Sequence, residues 1–291
     1  MRLSDIYARP GPIFSIEFWP PKTAEGEAEL LREVEVLKAL EPAFCSMTYG
    51  AGGSTHEKTV DLVTRLHRES GVEVMCHLTV VGQPKAFVRS VLDRLEAAGI
   101  ENIIALAGDP PAGAEADWTA HPEGFAHSRE LVEEAVGRGF SVAVAGFPEI
   151  HPRAGSRAAD LGYLREKVAA GASVVITQLF FDNDDYHRYV EEARRIGVDV
   201  PIVPGMLPIR SAAQARRFTK MCGARIPARL DALLAKVEDD DEAAIQVGID
   251  YATEQAADLL AAGAPGLHFY SLNRSRSVMA IFENLSLPLS G

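Results

Sequence analysis

Short apolar runs rich in β-branched residues recur along the chain. Each is followed by a polar loop and then by a longer stretch in which apolar residues return every three or four positions. The short runs fit strands buried on both faces, and the longer stretches fit helices with one buried face. Eight strands are predicted: Ile13–Glu17, Phe44–Thr48, Val74–Thr79, Asn102–Ala107, Ser141–Phe147, Val174–Leu179, Ile202–Met206 and Gly266–Tyr270. Helices are predicted over Ala24–Leu40, where Leu30, Leu31, Val34 and Leu37 share a face, and over Thr55–Ser70, Pro84–Ala98, Phe125–Arg138, Ala159–Ala170, Asp184–Ile196 and Ala212–Cys222. Glycine stands just past several of these ends, as at Gly99 and Gly139, where a left-handed residue closes the last turn. The spacing lengthens once, between the seventh and eighth runs, with room for three helices. Ile226-Pro227 and the acidic run Glu238–Glu242 punctuate that segment, and the acids suit the positive end of a helix over Glu242–Ala262.

Eight βα units with no break in composition predict an α/β fold of one domain: a single (β/α)8 TIM barrel over residues 1–291, without a regulatory domain. An open doubly wound sheet would place a GxGxxG turn after the first strand. Here the first strand runs into Glu17-Phe18-Trp19-Pro20-Pro21 instead.

Composition narrows the function. The formal net charge of −12 disfavours nucleic acid as a partner, because phosphate neutralisation needs a basic face. No apolar run reaches the length of a membrane span, and Met1-Arg2-Leu3-Ser4-Asp5 opens without an apolar leader, so the expected compartment is the cytoplasm. Cys45, Cys76 and Cys222 show no CxxC spacing, and the first two sit in apolar runs, as buried reduced thiols do. The eight histidines lack HxxxH or HExxH spacing, so no metal site is expected.

In a (β/α)8 barrel the chemistry lies at the C-terminal ends of the strands. Those ends carry Glu17, Thr48-Tyr49, His77 with Thr79, Asp109, Phe147 with Glu149, Gln178, Met206 with Pro208, and Tyr270 followed by Asn273-Arg274. The strand starts carry Ile13, Phe44, Val174 and Ile202. Polar groups therefore gather at one rim. Glu17 stands among Phe14, Ile16, Phe18 and Trp19; desolvation there would raise its pKa and keep it protonated, which suits a general acid. Asp109 follows Gly108 and precedes two prolines, in a loop fixed close to any ligand. Gln178 is a polar side chain near the end of the run Val174–Phe181, where an amide can read the edge of a heterocycle. Taken singly, each of these residues fits a structural role about as well.

Taken together they resemble the methylenetetrahydrofolate reductase family over essentially the whole chain. The family's Phe-Ser-x-Glu-Phe-x-Pro-Pro is Phe14–Pro21, its Thr-Tyr-Gly-Ala is Thr48–Ala51, its His-Leu-Thr is His77–Thr79 and its Gly-Asp-Pro is Gly108–Pro110. Its Pro-Glu-x-His-Pro is Pro148–Pro152, and its Asp-Leu…Lys-Val…Gly-Ala…Ile-Thr-Gln-Leu-Phe-Phe-Asp pattern runs from Asp160 to Asp182. Its Pro-Gly-x-x-Pro is Pro204–Pro208, and its His-Phe-Tyr-x-Leu-Asn-Arg is His268–Arg274.

The resemblance implies reduction of methylenetetrahydrofolate to methyltetrahydrofolate in one-carbon and methionine metabolism, with NADH or NADPH as donor and FAD as hydride carrier. It implies Glu17 and Asp109 as catalytic residues. Gln178, Tyr270 and Arg274 would meet the folate, with Arg274 at its anionic part. Thr48, Tyr49, His77, Thr79, Leu106, Gly108, Asp109, Phe147, His151, Asp160 and Lys167 would hold FAD.

The chain departs from the family pattern at Ala107, where Arg is usual, and at Tyr163 and Glu166, where some members carry Asn and Arg. A substrate-stacking Phe after strand seven is not evident at Ala212. A flavin-free reductase passing hydride directly from NAD(P)H to folate, and a non-catalytic folate-binding subunit, are the alternatives left open. An aldolase would want a strand-end Lys, and none of the eight runs ends in one. The sequence leaves the oligomeric state open, although barrels often pair into homo-oligomers.

Overall fold

The computed structural model describes residues 1–49, 56–110 and 118–286. Thr55 of the second predicted helix, and Gly50, Ala51 and Pro111 of the rim motifs, lie outside the described residues. Parallel strands β1 (Ile13–Phe18), β2 (Phe44–Met47), β3 (Val74–Thr79), β4 (Asn102–Leu106), β5 (Ser141–Gly146) and β6 (Val174–Thr177) pair in chain order. The seventh run is not one strand, which corrects the expected eight. Pro204 divides it into β7 (Ile202–Val203), paired with β6, and β8 (Gly205–Met206), paired with β9 (Gly266–Tyr270). β9 pairs in turn with β1, so the ring closes across the proline. Proline brings no N–H to a ladder, but its carbonyl accepts from His268 N–H at 3.0 Å. Next to it, Gly205 lies so close to β6 that a Cβ would stand 2.2 Å from Thr177 O.

The helices that cover the ring are α2 (Ala24–Leu37), α3 (His56–Ser70), α4 (Lys85–Ala97), α5 (Ser128–Gly137), α6 (Arg157–Ala169), α7 (Asn183–Arg195), α8 (Ala212–Cys222), α9 (Ala228–Ala235) and α10 (Asp241–Ala261). The last three fill the long interval before β9, as its length requires. Helix starts follow cap chemistry: Ser156 accepts from Ala159 N–H, Ser211 from Gln214 N–H and Asp240 from Ala243 N–H. Each cap fixes a start within a few residues of the apolar period. Two helices are additional to the pattern read above: α1 (Leu3–Ile6) and α11 (Arg276–Leu285). α11 buries Val278, Ile281 and Phe282, and Phe282 packs on Phe14 and Phe269. Among the described residues, no helix is long and apolar enough to cross a membrane.

Alternation along the strands divides the core in two. Outward-facing Ile16, Met47, Cys76, Ile103, Val142 and Phe269 pack under the helices. At the N-terminal end of the barrel interior, Ile13, Phe44, Met75, Ile104, Val174 and Val203 surround Leu3 and Ile6, both with no exposure. α1 is thus an internal plug. Asn102 fixes it, accepting from Leu3 N–H at 2.9 Å and donating to Met1 O at 2.9 Å. Each fully buried Leu or Ile side chain of this kind is worth roughly 1.5–3 kcal/mol. The upper interior differs: its inward positions are Ser15, Glu17, Ser46, His77 and His268, all buried polar groups.

Candidate active site at the barrel mouth

Strand register assembles the centre. Ser15 lies opposite His268, and Glu17 lies opposite Ser46 on one side and Tyr270 on the other. The Glu17 carboxyl is buried between two imidazoles. His77 Nε2 is 3.2 Å and His268 Nε2 3.5 Å from Glu17 Oε2. The His77 nitrogen is buried, and Glu17 is the polar group it meets. Burial pushes the Glu17 carboxyl up, but the charge of His77 and a hydrogen bond from His268 outweigh it and hold the group at about 2. The expectation of a protonated carboxyl in apolar surroundings is therefore corrected. Phe14, Ile16 and Phe18 alternate with or point away from Glu17, and the neighbours that decide its charge come from other strands.

Around this centre the inward residues at the strand ends are half-buried, as a mouth open to ligand requires: Thr48, Thr79, Leu106, Ala145, Gln178 and Tyr270. Tyr49 is buried. Gly108 is half-buried and keeps φ at 84°, and a Cβ there would stand 2.6 Å from a Val81 methyl and 2.9 Å from Thr79, so only glycine lets the β4 loop lie on β3. The Tyr270 hydroxyl donates to Thr177 O, tying β9 to β6 across the mouth. Gln178 Oε1 accepts from Leu179 N–H at 2.8 Å, so this oxygen is already engaged. Asp109 is exposed, with His151 and Cys222 in its field.

A second group lines the side formed by β5 and α6. Lys167 Nζ donates to Ala145 O at 2.8 Å, and burial brings its ammonium down to about 8. Asp160 accepts from His151 N–H at 3.2 Å, and burial raises its carboxyl. Burial, with Arg153 and Lys167 nearby, lowers His151 to about 4; its ring meets Phe147 edge-on at 4.5 Å. Arg157 holds this loop by donating to Phe147 O at 2.9 Å and Pro148 O at 2.7 Å. Ile150 sits in the same loop at φ 149°, a conformation costly for a β-branched residue. Glu149 accepts from Arg225 N–H at 2.9 Å, and Arg225 also reaches Asp182 and Asp185 at 2.9 and 2.8 Å.

Arg274 does not join the mouth. It is exposed, and its guanidinium pairs with Glu29 and lies 3.8 Å from Glu33, both on α2. Residues beyond those read from the sequence shape the rim beside β1. Trp19 and Phe218 meet edge-to-face at 5.9 Å and, with Arg210, Arg217, Asp241 and Glu242, line an open cleft of about 560 Å³. Ala212 itself brings no aromatic ring to this rim, and Phe218 further along α8 faces the cleft. Asn273 pins this wall, accepting from Trp19 N–H and donating to Trp19 O, both at 2.8 Å. Cys45 and Cys76 are buried free thiols, and Cys222 is a half-buried one.

A family model for methylenetetrahydrofolate reductase matches residues 2–286. The chain belongs to the methylenetetrahydrofolate reductase family. The 5,10-methylenetetrahydrofolate reductase of Escherichia coli K12 is 36% identical over 273 residues, covering 94% of this chain and 90% of that protein. Methylenetetrahydrofolate reductase (NADH) 1 of Arabidopsis thaliana is 39% identical over 286 residues, 94% of this chain and 48% of the plant protein. The chain thus spans about half the length of the plant relatives it matches. Among solved structures, a Clostridium thermocellum protein that binds two copies of 5-methyl-5,6,7,8-tetrahydrofolic acid superposes with a TM-score of 0.67 at 16% identity, covering 98% of both chains. That likeness bears on the fold alone.

Proposed function

We propose that this chain is a cytoplasmic reductase of one-carbon metabolism that converts 5,10-methylenetetrahydrofolate to 5-methyltetrahydrofolate, with NAD(P)H as donor and FAD bound at the mouth. The observation that carries the reading is the buried Glu17 carboxylate between two imidazoles at the catalytic end of a barrel of this family. The name of the E. coli relative and the folate held by the C. thermocellum protein support the substrate class.

The residues present fit the cofactor. Lys167 is a buried ammonium with no carboxylate within ion-pair reach among the described residues, which suits an anionic group. Arg157 Nη2 is buried without a hydrogen-bond partner and offers a donor. Lys167, His151 and Asp160 would hold the cofactor on the β5 side. Thr48, Tyr49, His77, Thr79, Leu106, Gly108, Asp109 and Phe147 would hold it across the mouth. Bound there, FAD would supply a two-electron carrier between nicotinamide and folate.

The chain's own residues would do the rest. Trp19 and Phe218 would offer an aromatic wall to the folate's aryl ring, and Arg210 and Arg217, which pair with no carboxylate among the described residues although Asp241 and Glu242 line the same cleft, would meet its acidic tail. Arg274, engaged by α2, is not needed for this. Gln178 keeps its amide nitrogen for the pterin edge, beside Tyr270 and Asp109. Glu17 would deliver a proton to the nitrogen that leaves the methylene carbon, opening the five-membered ring to an iminium. Hydride addition to that carbon would complete the methyl group.

Glu17→Gln tests the reading. Turnover with NADH and methylenetetrahydrofolate falls by about 10²–10⁴-fold, the usual contribution of a general acid, while the Kd for 5-methyltetrahydrofolate stays within a few-fold. Wild-type turnover in this variant would remove Glu17 from the acid role. An inactive wild-type protein, with FAD supplied, would remove the reductase reading.

One observation favours a second reading. Ala107, at the end of β4, leaves that position without the cation usual in the family. A colourless protein that still oxidises NADH on adding the folate would establish direct hydride transfer.

A further inference from the structure

The loop that follows β5 is gripped along its length. Phe147 O and Pro148 O both accept from Arg157 Nη1, at 2.9 and 2.7 Å. Glu149 Oε1 accepts from the backbone N–H of Arg225 at 2.9 Å and lies 3.5 Å from its Nε. His151 N–H donates to Asp160 at 3.2 Å. Between these grips Ile150 takes φ 149°, a value that glycine reaches freely and a β-branched residue rarely adopts. Such a conformation persists only while its surroundings over-determine it.

The grips differ in origin. Arg157 and Asp160 belong to α6, the helix that follows this loop. Arg225 comes from the connection between α8 and α9, 76 residues beyond Glu149. Gly223 closes α8 at φ 71° and lies so near the loop that a Cβ there would stand 2.8 Å from Pro152 Cγ. The Arg225 guanidinium then reaches Asp182, the cap of α7, at 2.9 Å, and Asp185, buried in the first turn of that helix, at 2.8 Å. An exposed ion pair is ordinarily worth little. This guanidinium, however, meets three carboxylates, two of them largely buried, and ties the α8–α9 connection to α7 as well as to the β5 loop. The backbone bond to Glu149 is only as firm as that anchor.

We infer that Arg225 is a positioning residue for the reaction, gripping the β5 loop from outside the barrel so that Phe147 and His151 stand as a fixed wall on the cofactor side of the mouth. The inference rests on the reductase reading, in which those two residues meet the hydride carrier. Their rings meet edge-on at 4.5 Å. The charged groups that face the His151 ring are Arg153 of its own loop, Lys167 of α6 and Asp109 of the β4 loop. Without the grip, the loop drains toward a conformation that Ile150 prefers. A ligand of the wall then finds the competent form only part of the time, and its apparent affinity falls by that fraction.

The test compares Arg225→Ala, Arg225→Lys, and Arg225→Ala combined with Ile150→Gly, each in the full chain. Burial, with Arg153 and Lys167 nearby, holds His151 down at about 4. NMR titration of this ring in the flavin-free protein should move up by about one pH unit or more in Arg225→Ala, as the ring leaves its buried place. A merely structural ion pair would lower the urea midpoint and leave that titration unmoved. With NADH, methylenetetrahydrofolate and added FAD, kcat falls about 10-fold and the Kd for FAD weakens about 10-fold. Arg225→Lys, which keeps the charge without the fork, falls between wild type and Arg225→Ala. Ile150→Gly removes the strain that the grip opposes, so the double variant should return to within about threefold of wild type in both quantities, a non-additive pair. An Arg225→Ala loss that Ile150→Gly leaves unchanged overturns the inference. So does an unmoved His151 titration with kcat within twofold of wild type. Should Arg225→Ala not fold, Arg225→Lys with and without Ile150→Gly decides in the same way. A wild-type protein without folate turnover overturns the reductase reading, whereas the His151 titration, which needs neither substrate nor flavin, still decides the grip.

Discussion

Replacing Lys167 by Met separates what this lysine costs the fold from what it would do for a cofactor. The ammonium is buried, donates to Ala145 O at 2.8 Å, and finds no carboxylate within ion-pair reach among the described residues. Its descent from 10.5 to about 8 corresponds to roughly 3 kcal/mol of unfavourable burial at neutral pH. Solvent reaches part of the side chain, and Met forfeits the bond to Ala145, worth about 1 kcal/mol. Met keeps the length and most of the packing of the stem. Lys167→Met should therefore stabilise the flavin-free protein by about 1–2 kcal/mol at pH 7. The sign follows from the direction of the shift. A base whose folded pKa is lowered costs nothing above its unfolded value. The cost grows as pH falls from 10.5 and is complete below about 8. The gain of the Met variant should thus shrink by more than half between pH 7 and pH 9.5, an interval across which the folded lysine loses its proton while the unfolded one keeps it. Urea denaturation of the flavin-free proteins at the two pH values measures this. FAD titration of the same samples should show affinity weakened about 10–100-fold, as loss of one charge-assisted contact to an anion implies. A variant less stable than wild type at pH 7, or one that binds FAD equally well, would refute the argument.

Other parts of the molecule give independent outcomes. Burial lifts the Glu149 carboxyl to about 7, and its Oε2 has no hydrogen-bond partner. An acid with a raised folded pKa stabilises the fold below 4.5 and loses that contribution as pH rises through 7, so Glu149→Gln should gain about 1–2 kcal/mol on wild type between pH 4.5 and 8, after allowance for screening at the rim. A difference in denaturation free energy that is the same at both ends would exclude it. Leu3→Ala, in the plug at the far end of the barrel, should cost about 2–4 kcal/mol of stability. It should leave kcat at 25 °C near wild type, and a large loss of kcat without loss of stability would show that α1 does more than fill the barrel.

Much of the architecture is legible in the chain because period and punctuation agree: β-branched runs, helical stripes and closing glycines all point to one barrel. What is not legible has specific causes. Pro204 lies inside an otherwise regular run, and only the paired neighbours show that the ring closes on two-residue pieces either side of it. α1 is four residues long, too short for any period to register. α11 carries Val278, Ile281 and Phe282 at helical spacing, a signal present in the sequence beyond the last strand. The rim was readable as a list of polar strand ends, but not which ends touch. Arg274 shares its motif with Tyr270 and yet faces the acids of α2, and Phe218 enters the wall from a helix rather than from the loop before it.

Glu17 shows why the charge state of a site is harder to read than its place. Its sequence neighbours are aromatic and aliphatic, and desolvation by itself would argue for a neutral acid. In a strand, adjacent residues point to opposite faces, so Phe18 and Ile16 pack outward under helices while Glu17 faces the axis. Its electrostatic neighbours are residues that share its height in the barrel: His77, 60 positions along the chain, and His268, 251 positions along it. Their register is set only when β9 closes onto β1. The alternation of Ser15 with Glu17 and of His268 with Tyr270 does mark two inward polar pairs in the sequence.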